Sequence, residues 1–193
     1  MQFIGRYNIG NDICDRLVQM FHEADELGLT HVGCVGGTSG TPIVDKETKD
    51  STDIMLADVP DDLIEKYNAN EYLDKLKGCV DQYIQQHPVL MTLGPYGLGE
   101  SPILQHYRPG GGFKKAHFER TSISAAARMM VFMTYLNTIN DGGGTRFEYQ
   151  KKNFKARKGD TLIWPTDWTH THRGLVAKTD DKYIITGWLS FRD

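Results

Sequence analysis

The chain has 193 residues, with 22 Lys and Arg against 25 Asp and Glu, and a formal net charge of -3. This length favours a single domain, spanning residues 1–193, that can bury its own core. A near-balanced charge gives no basis for a nucleic-acid partner. No apolar run approaches the roughly 18 residues of a membrane span, so we expect no membrane segment. Nothing in these totals predicts the oligomeric state.

The cysteines and the amino-terminal residues indicate the compartment. Cys14, Cys34 and Cys79 stand at no metal-binding spacing, and the first residues lack the basic and apolar regions of a secretory signal. Reduced thiols are typical of a cytosolic protein. We therefore expect a cytoplasmic location.

The first half of the chain is predicted to be mainly helical. Apolar residues at helical spacing predict an amphipathic helix over residues 11–27, which Asn11 or Asp12 can cap and Gly28 can end. Pro60 begins a short helix, and a longer one runs up to Pro88. Between them, residues 33–52 are polar, glycine-rich and charged, which predicts a long loop. This loop is either a substrate-side element or a solvated surface loop, and a strand over residues 51–56 leaves it.

The second half changes to strand behaviour from about Leu90. Short apolar or alternating runs are separated by glycine- and aspartate-rich turns. The eight predicted strands cover residues 103–108, 113–119, 129–136, 145–149, 153–156, 161–164, 169–173 and 183–191. The predicted fold class is mainly β with N-terminal helices (α+β), a jelly roll with helices against one sheet. Residues 1–100 would be helical support, and residues 101–193 would be the core.

Three side chains in this second half could bind a metal. On a strand, His117 and Glu119 share one face and could ligate one cation, although a solvent-facing polar pair is the simpler interpretation. His170 and His172 also share a face on their predicted strand, and either could be a third ligand or a hydrogen-bonded core histidine. Chemistry alone does not choose between them. Two histidines with one carboxylate form the facial arrangement of non-haem Fe(II) oxygenases.

The order and spacing of several motifs resemble a known family. The motifs are Gln105-His-Tyr-Arg-Pro-Gly110, His117-Phe-Glu119, Thr134-Tyr-Leu-Asn137, Gly142-Gly-Gly-Thr-Arg-Phe147, Lys158-Gly-Asp-Thr-Leu-Ile-Trp-Pro165, His172-Arg-Gly174 and Lys182-Tyr-Ile-Ile-Thr-Gly-Trp188. They resemble the Fe(II)- and 2-oxoglutarate-dependent dioxygenases, in the prolyl-4-hydroxylase-like branch. The residues of these motifs are most similar to those of the group found in phage and marine microbial genomes. The resemblance implies a cupin-like double-stranded β-helix in residues 101–193.

The resemblance also implies a set of site residues. It assigns the metal to His117, Glu119 and His172, with glutamate in the family's usual aspartate position and His172 ten residues before the basic residue Lys182. Lys182 would bind the distal carboxylate of 2-oxoglutarate. The remaining implied residues are Tyr107, Tyr135, Thr145 and Thr186 around the co-substrate, and His170, Arg128 and Trp188 supporting the ligands or contacting the substrate.

The activity that the resemblance implies is hydroxylation. The cofactors would be Fe(II), 2-oxoglutarate and O2, with ascorbate in support. The first expected substrate is a prolyl residue in a peptide or protein, and a non-proline residue or a small molecule is the alternative. Two further interpretations stay open: a jelly-roll binding module without redox chemistry, and a cupin-like metalloprotein that uses Zn or Mn.

Overall fold

The computed structural model describes residues 3–36 and 41–192. Within these ranges it has three α-helices, all before residue 100: α1 (Asp12–Glu26), α2 (Asp61–Lys66) and α3 (Glu71–Gln86). They match the three predicted helices. Gly28 follows α1 with φ at 71°, as expected of a glycine that ends a helix, but the Asn11 side chain makes no capping bond. No helix in the described ranges is long and apolar enough to cross a membrane.

The protein is mostly β with few helices, and its paired strands are antiparallel. They are β1 (Gly5–Asn8), β2 (His31–Val32), β3 (Val35–Gly36), β4 (Pro42–Ile43), β5 (Lys49–Asp50), β6 (Thr52–Met55), β7 (Tyr96–Leu98), β8 (Ile103–Tyr107), β9 (Gly112–Phe113), β10 (Arg128–Tyr135), β11 (Thr145–Phe147), β12 (Lys152–Phe154), β13 (Asp160–Pro165), β14 (His172–Gly174) and β15 (Lys182–Phe191). Single 3-10 turns cover Leu56–Asp58, Pro88–Thr92, Ile123–Ala125 and Trp168–His170.

One large sheet contains eight of these strands. Its order is β1-β13-β10-β15-β8-β6-β2, and β7 also pairs with β15. The first half of the chain therefore supplies strands to both edges, in addition to the helices that were predicted for it. Side chains of α1 and α3 pack on one face of this sheet, where alternate residues such as Phe132 and Ile185 point toward them.

The opposite face of the large sheet is covered by a three-stranded sheet with the order β12-β11-β14. A second apolar cluster lies between the two sheets. Phe147 on β11 contacts Trp164 on β13 edge to face, with ring centroids 5.3 Å apart. Because His172 on β14 and Lys182 on β15 are buried on this same inner side, the space between the sheets is where the predicted site residues meet.

Two predicted strands were wrong in part. Residues 113–119 do not form one strand: only Gly112–Phe113 is a strand, and His117 forms an isolated bridge with His172. The segment changes partner along its length, since Lys114 N–H donates to the Thr48 carbonyl and Glu119 N–H to the Thr166 carbonyl. No continuous ladder joins Phe113 to the His117 bridge, so the regular alternation of a strand is lost here.

Residues 169–173 also differ from the prediction. A 3-10 turn ends at His170, and β14 begins only at His172. The turn is closed by the His170 N–H, which donates to the Asp167 carbonyl at 2.8 Å. His170 and His172 are therefore not alternate residues of one strand, and the shared-face argument for this pair was wrong.

The predicted 33–52 loop contains more structure than expected. Residues 37–40 lie outside the described ranges, but β3 pairs with β4 and β5 pairs with β9. Lys49 is buried and forms an ion pair with Asp53. The interpretation as a plain solvated loop is thus wrong for Lys49, whose charge is buried and paired. The strand predicted over residues 51–56 is confirmed as β6.

Candidate active site

The structure brings His117, Glu119 and His172 together at one point between the sheets. One ligand atom from each lies within 4.8 Å of the others, and no other group of this kind occurs among residues 3–36 and 41–192. Glu119 Oε1 is 3.5 Å from His172 Nε2 and 3.7 Å from His117 Nε2. The two histidines come from segments that are hydrogen-bonded to each other: His117 N–H donates to the His172 carbonyl at 2.9 Å, and His172 N–H returns a bond at 2.8 Å.

Backbone carbonyls orient both imidazoles toward this point. His117 Nδ1 lies 3.0 Å from the Lys115 carbonyl oxygen, and His172 Nδ1 lies 2.9 Å from the His170 carbonyl oxygen. A carbonyl only accepts, so each Nδ1 carries the proton and each Nε2 has a free lone pair. Burial lowers the pKa of both imidazoles to about 4. They are therefore neutral at pH 7 and can ligate a cation without first losing a proton.

This donor set fits a divalent transition metal. Two neutral imidazoles and one carboxylate supply three ligands and leave further coordination positions open, which is the arrangement of non-haem Fe(II) sites. The resemblance named three residues that the structure brings together, although the strand alternation first used to pair His117 with Glu119 does not hold. The two hydrogen bonds between the His117 and His172 backbones hold these residues together instead.

Lys182 lies on β15 with its charge in the interior. Its side chain is near the rings of Tyr107 and Tyr135, with Nζ 5.1 and 5.8 Å from their centroids, and only 4% of the residue is exposed. Nζ makes no ion pair or hydrogen bond with any residue in the described ranges. Burial lowers its pKa to about 8. Gly174 lies beside the ammonium group, and a Cβ there would be 3.8 Å from Nζ.

A buried cation without an anion is energetically costly, so the surroundings of Lys182 are suited to a carboxylate ligand. Tyr135, whose ring is near Nζ, has its hydroxyl oxygen 2.6 Å from that of Thr145. The Tyr107 hydroxyl donates to Gln105 Oε1 at 2.7 Å. Burial raises the pKa of both phenols, and both remain neutral donors. Thr186 lies on the same face of β15 as Lys182, and its hydroxyl donates to the Phe132 carbonyl at 2.9 Å.

The three other predicted residues lie around the His117, Glu119 and His172 group. The Trp188 indole N–H donates to Glu119 Oε2 at 3.0 Å, and the Arg128 guanidinium stacks on the indole at 3.7 Å. His170 is buried beside His172, and its Nδ1 is 3.0 Å from the Thr169 hydroxyl. Its imidazole is not part of the three-ligand group, whereas its carbonyl orients the ring of His172.

Sequence reasoning missed a buried polar group at the β6 edge of the site. Lys49 pairs with Asp53, and the Ser51 hydroxyl donates to Asp53 Oδ1 at 2.7 Å. The charges of Asp53 and Glu119, after burial itself, contribute to the raised pKa of Tyr107, which places this group next to the pocket. The strand predicted over residues 51–56 was the available indication, because Ser51 and Asp53 would share a face of it.

Comparison with known proteins agrees with this geometry. Residues 102–190 match the model of a family described as the 2OG-Fe(II) oxygenase superfamily, which confirms the family resemblance seen in the sequence. No curated protein matches the chain.

Three solved structures share the fold across nearly the whole chain. They are viral collagen prolyl hydroxylase from Paramecium bursaria Chlorella virus-1 as a 2OG complex (18% identity, TM-score 0.65, covering 99% of this chain and 97% of that one), a Pseudomonas putida prolyl-4-hydroxylase (16%, 0.68, 98% and 94%), and a Trichoplax adhaerens prolyl hydroxylase with a hypoxia inducible factor oxygen degradation domain peptide fragment (15%, 0.70, 98% and 84%). At these identities the likeness shows the fold.

Proposed function

We propose that this chain, a member of the 2OG-Fe(II) oxygenase superfamily through residues 102–190, hydroxylates a prolyl residue in a peptide or protein. The observation that supports this best is the buried Lys182 ammonium, which has no anionic partner among residues 3–36 and 41–192 and lies in the same inter-sheet space as the His117, Glu119 and His172 group. We further propose that residues 1–193 form one domain. In it, residues 101–193 form a cupin-like jelly-roll core, a double-stranded β-helix, on the helical support of residues 1–100.

Three residues would hold the metal, and the pocket would hold the co-substrate. His117, Glu119 and His172 would bind Fe(II), which when bound supplies the activation of O2 that converts 2-oxoglutarate and a C–H group to succinate, CO2 and an alcohol. Lys182 would pair with the distal carboxylate of 2-oxoglutarate, and this bond discriminates a diacid from a mono-acid. The neutral phenol of Tyr135 would donate a hydrogen bond to the same ligand, and that of Tyr107 would do so by exchanging its bond to Gln105 Oε1.

The rest of the chain positions these groups and keeps water away. Thr145 fixes the Tyr135 hydroxyl, and the apolar cluster around Phe147 and Trp164 lines the inner side of the site. No side chain is required as a nucleophile or general base. The chain's own contribution is therefore binding and orientation, with ascorbate as a supporting reductant in solution.

The peptide substrate is supported by the relatives. The neighbours are named as prolyl hydroxylases, and one of them is in complex with a peptide fragment. In this chain, the candidate substrate-side elements are the described parts of residues 36–53 and the turn at residues 110–112. A non-proline residue or a small molecule is the alternative substrate.

The first experiment separates the two histidines. With Fe(II), ascorbate and 2-oxoglutarate, the wild type should form succinate, and His172→Ala should abolish both iron binding and succinate formation. His170→Ala is the matched control: it removes a neighbouring imidazole but keeps the carbonyl that orients His172, so activity should persist. An inactive His170→Ala with an active His172→Ala would refute the ligand assignment. Iron binding without succinate would favour a non-catalytic module.

The second experiment identifies the substrate. A peptide library incubated with the enzyme, 2-oxoglutarate and O2 is read by mass spectrometry for a gain of one oxygen, and fragmentation locates the modified residue. Modification at proline supports the proposal. Modification only at other residues, or turnover only with small molecules, would contradict it.

A further inference from the structure

We infer that Trp188 is a positioning residue that makes Glu119 a one-oxygen metal ligand. This inference rests on the proposed function, because it assumes that the triad binds a divalent cation. It adds a specific role for the indole, in place of a general position near the metal.

The two oxygens of Glu119 have different surroundings. Oε2 accepts the hydrogen bond from the Trp188 indole at 3.0 Å, whereas Oε1 faces the Nε2 atoms of His172 and His117 at 3.5 and 3.7 Å. A carboxylate held in this way directs Oε1 toward the position between the imidazoles. Oε2 remains committed to the N–H donor, so the carboxylate is disposed to bind through one oxygen.

The indole is itself held in place. Trp188 lies opposite Val131 in the large sheet and on the same face of β15 as Lys182. The Arg128 guanidinium covers the ring at 3.7 Å, and Arg128 Nε and Nη2 donate to the two oxygens of Glu100 at 2.7 and 2.6 Å. A bidentate pair fixes the plane of the guanidinium, and stacking on that plane fixes the indole. Glu100, Arg128 and Trp188 thus form a continuous support for Glu119.

The length of the glutamate side chain explains the arrangement. The backbone at residue 119 is fixed by its N–H, which donates to the Thr166 carbonyl at 3.1 Å. An aspartate is shorter by one methylene, so from this backbone position we expect it not to contact both the indole and the imidazole side. Glu119 and Trp188 should therefore act as a unit, and the effects of changing them should not be independent.

The test measures metal affinity rather than activity. Co(II) binding to the purified full chain is followed by visible absorption for the wild type, Trp188→Phe, Glu119→Asp and the double variant. Trp188→Phe keeps an aromatic ring and removes the indole N–H donor, and we expect this variant to bind Co(II) about 10- to 100-fold more weakly. Glu119→Asp should also bind more weakly, and adding Trp188→Phe to it should cause no further loss. Trp168→Phe, at a residue that is 61% exposed, is the matched control and should bind like the wild type.

Different failures have different meanings. Wild-type affinity in Trp188→Phe, or losses that multiply in the double variant, would overturn the inference while leaving the proposed function intact. Failure of the wild type to bind Co(II), or binding that survives His172→Ala, would instead overturn the proposed metal site.

A second measurement does not depend on the Trp188 variants being folded. In the Zn(II)-loaded wild type, the Trp188 indole N–H should exchange slowly with solvent, and in Glu119→Ala it should exchange faster. Equal exchange rates in the two proteins would refute the hydrogen bond as the positioning contact.

Discussion

Lys182→Met should make the protein more stable while removing its proposed co-substrate contact. Methionine fills the space of the lysine stem without the charge. The pKa of Lys182 falls from its usual 10.5 to about 8 because burial disfavours the ammonium form. At about 1.4 kcal/mol for each pH unit, the buried charge costs about 3 kcal/mol at pH 7. The variant should gain about that amount in free energy of unfolding.

The difference in stability between the two proteins should depend on pH. Between pH 8 and pH 10.5 the unfolded wild type keeps the Lys182 proton and the folded wild type has lost it. The stability contribution of this group therefore rises with pH in that window, since the unfolded state binds more protons. The advantage of Lys182→Met should shrink as the pH rises from 8 toward 10.5. Urea denaturation of both proteins at pH 7 and pH 10 measures this change in the stability difference.

Ligand should offset most of this difference in stability. With Mn(II) and 2-oxoglutarate at about 100 times its Kd, the wild type should gain about 2.7 kcal/mol and the variant far less. Lys155→Met is the control, because Lys155 is exposed and its loss should change stability by no more than about 0.5 kcal/mol. A Lys182→Met protein less stable than the wild type at pH 7, or an advantage independent of pH, would refute the argument for a buried unpaired charge.

Two further variants test the packing around the site by denaturant unfolding. Asp53→Asn should lower the free energy of unfolding by about 3–5 kcal/mol, because it leaves the Lys49 ammonium buried without its partner; a loss below 1 kcal/mol would show that the pair is not buried as described. Gly143→Ala should cost about 1–3 kcal/mol, because φ there is +66° and a Cβ would lie 2.7 Å from Ile139. Gly78→Ala is its control: the site is open and helical, and the change should stabilise by about 0.5–1 kcal/mol.

The fold was predictable where local patterns match the final environment. The helices α1 and α3 have apolar residues at helical spacing, and β10, β13 and β15 have long apolar runs that the two clusters bury. β1 and β7 were not predicted, because each has few apolar residues and is formed mainly through pairing with a distant strand. Likewise, no local pattern shows that Thr48 and Thr166 accept bonds that interrupt residues 113–119.

The candidate site was predictable through motif order more than through local geometry. The spacing from His172 to Lys182 identifies two residues that the structure places on the inner side of the two sheets. No motif or spacing in the sequence indicated roles for Lys49 and Glu100. Their roles depend on contacts with Asp53 and Arg128, which are set by the tertiary fold and leave no periodic trace in the sequence.

The position of β15 in the large sheet has a consequence for how the protein folds. This strand pairs with β10, β8 and β7, so that Lys182 lies opposite Tyr107 and Phe191 opposite Tyr96. The chain must close long loops before its central strand gains any partner. Topologies dominated by such distant pairings commonly fold in milliseconds to seconds. Until β15 docks, β8 and β10 each present an unpaired edge to other chains, so refolding should be most efficient at low protein concentration.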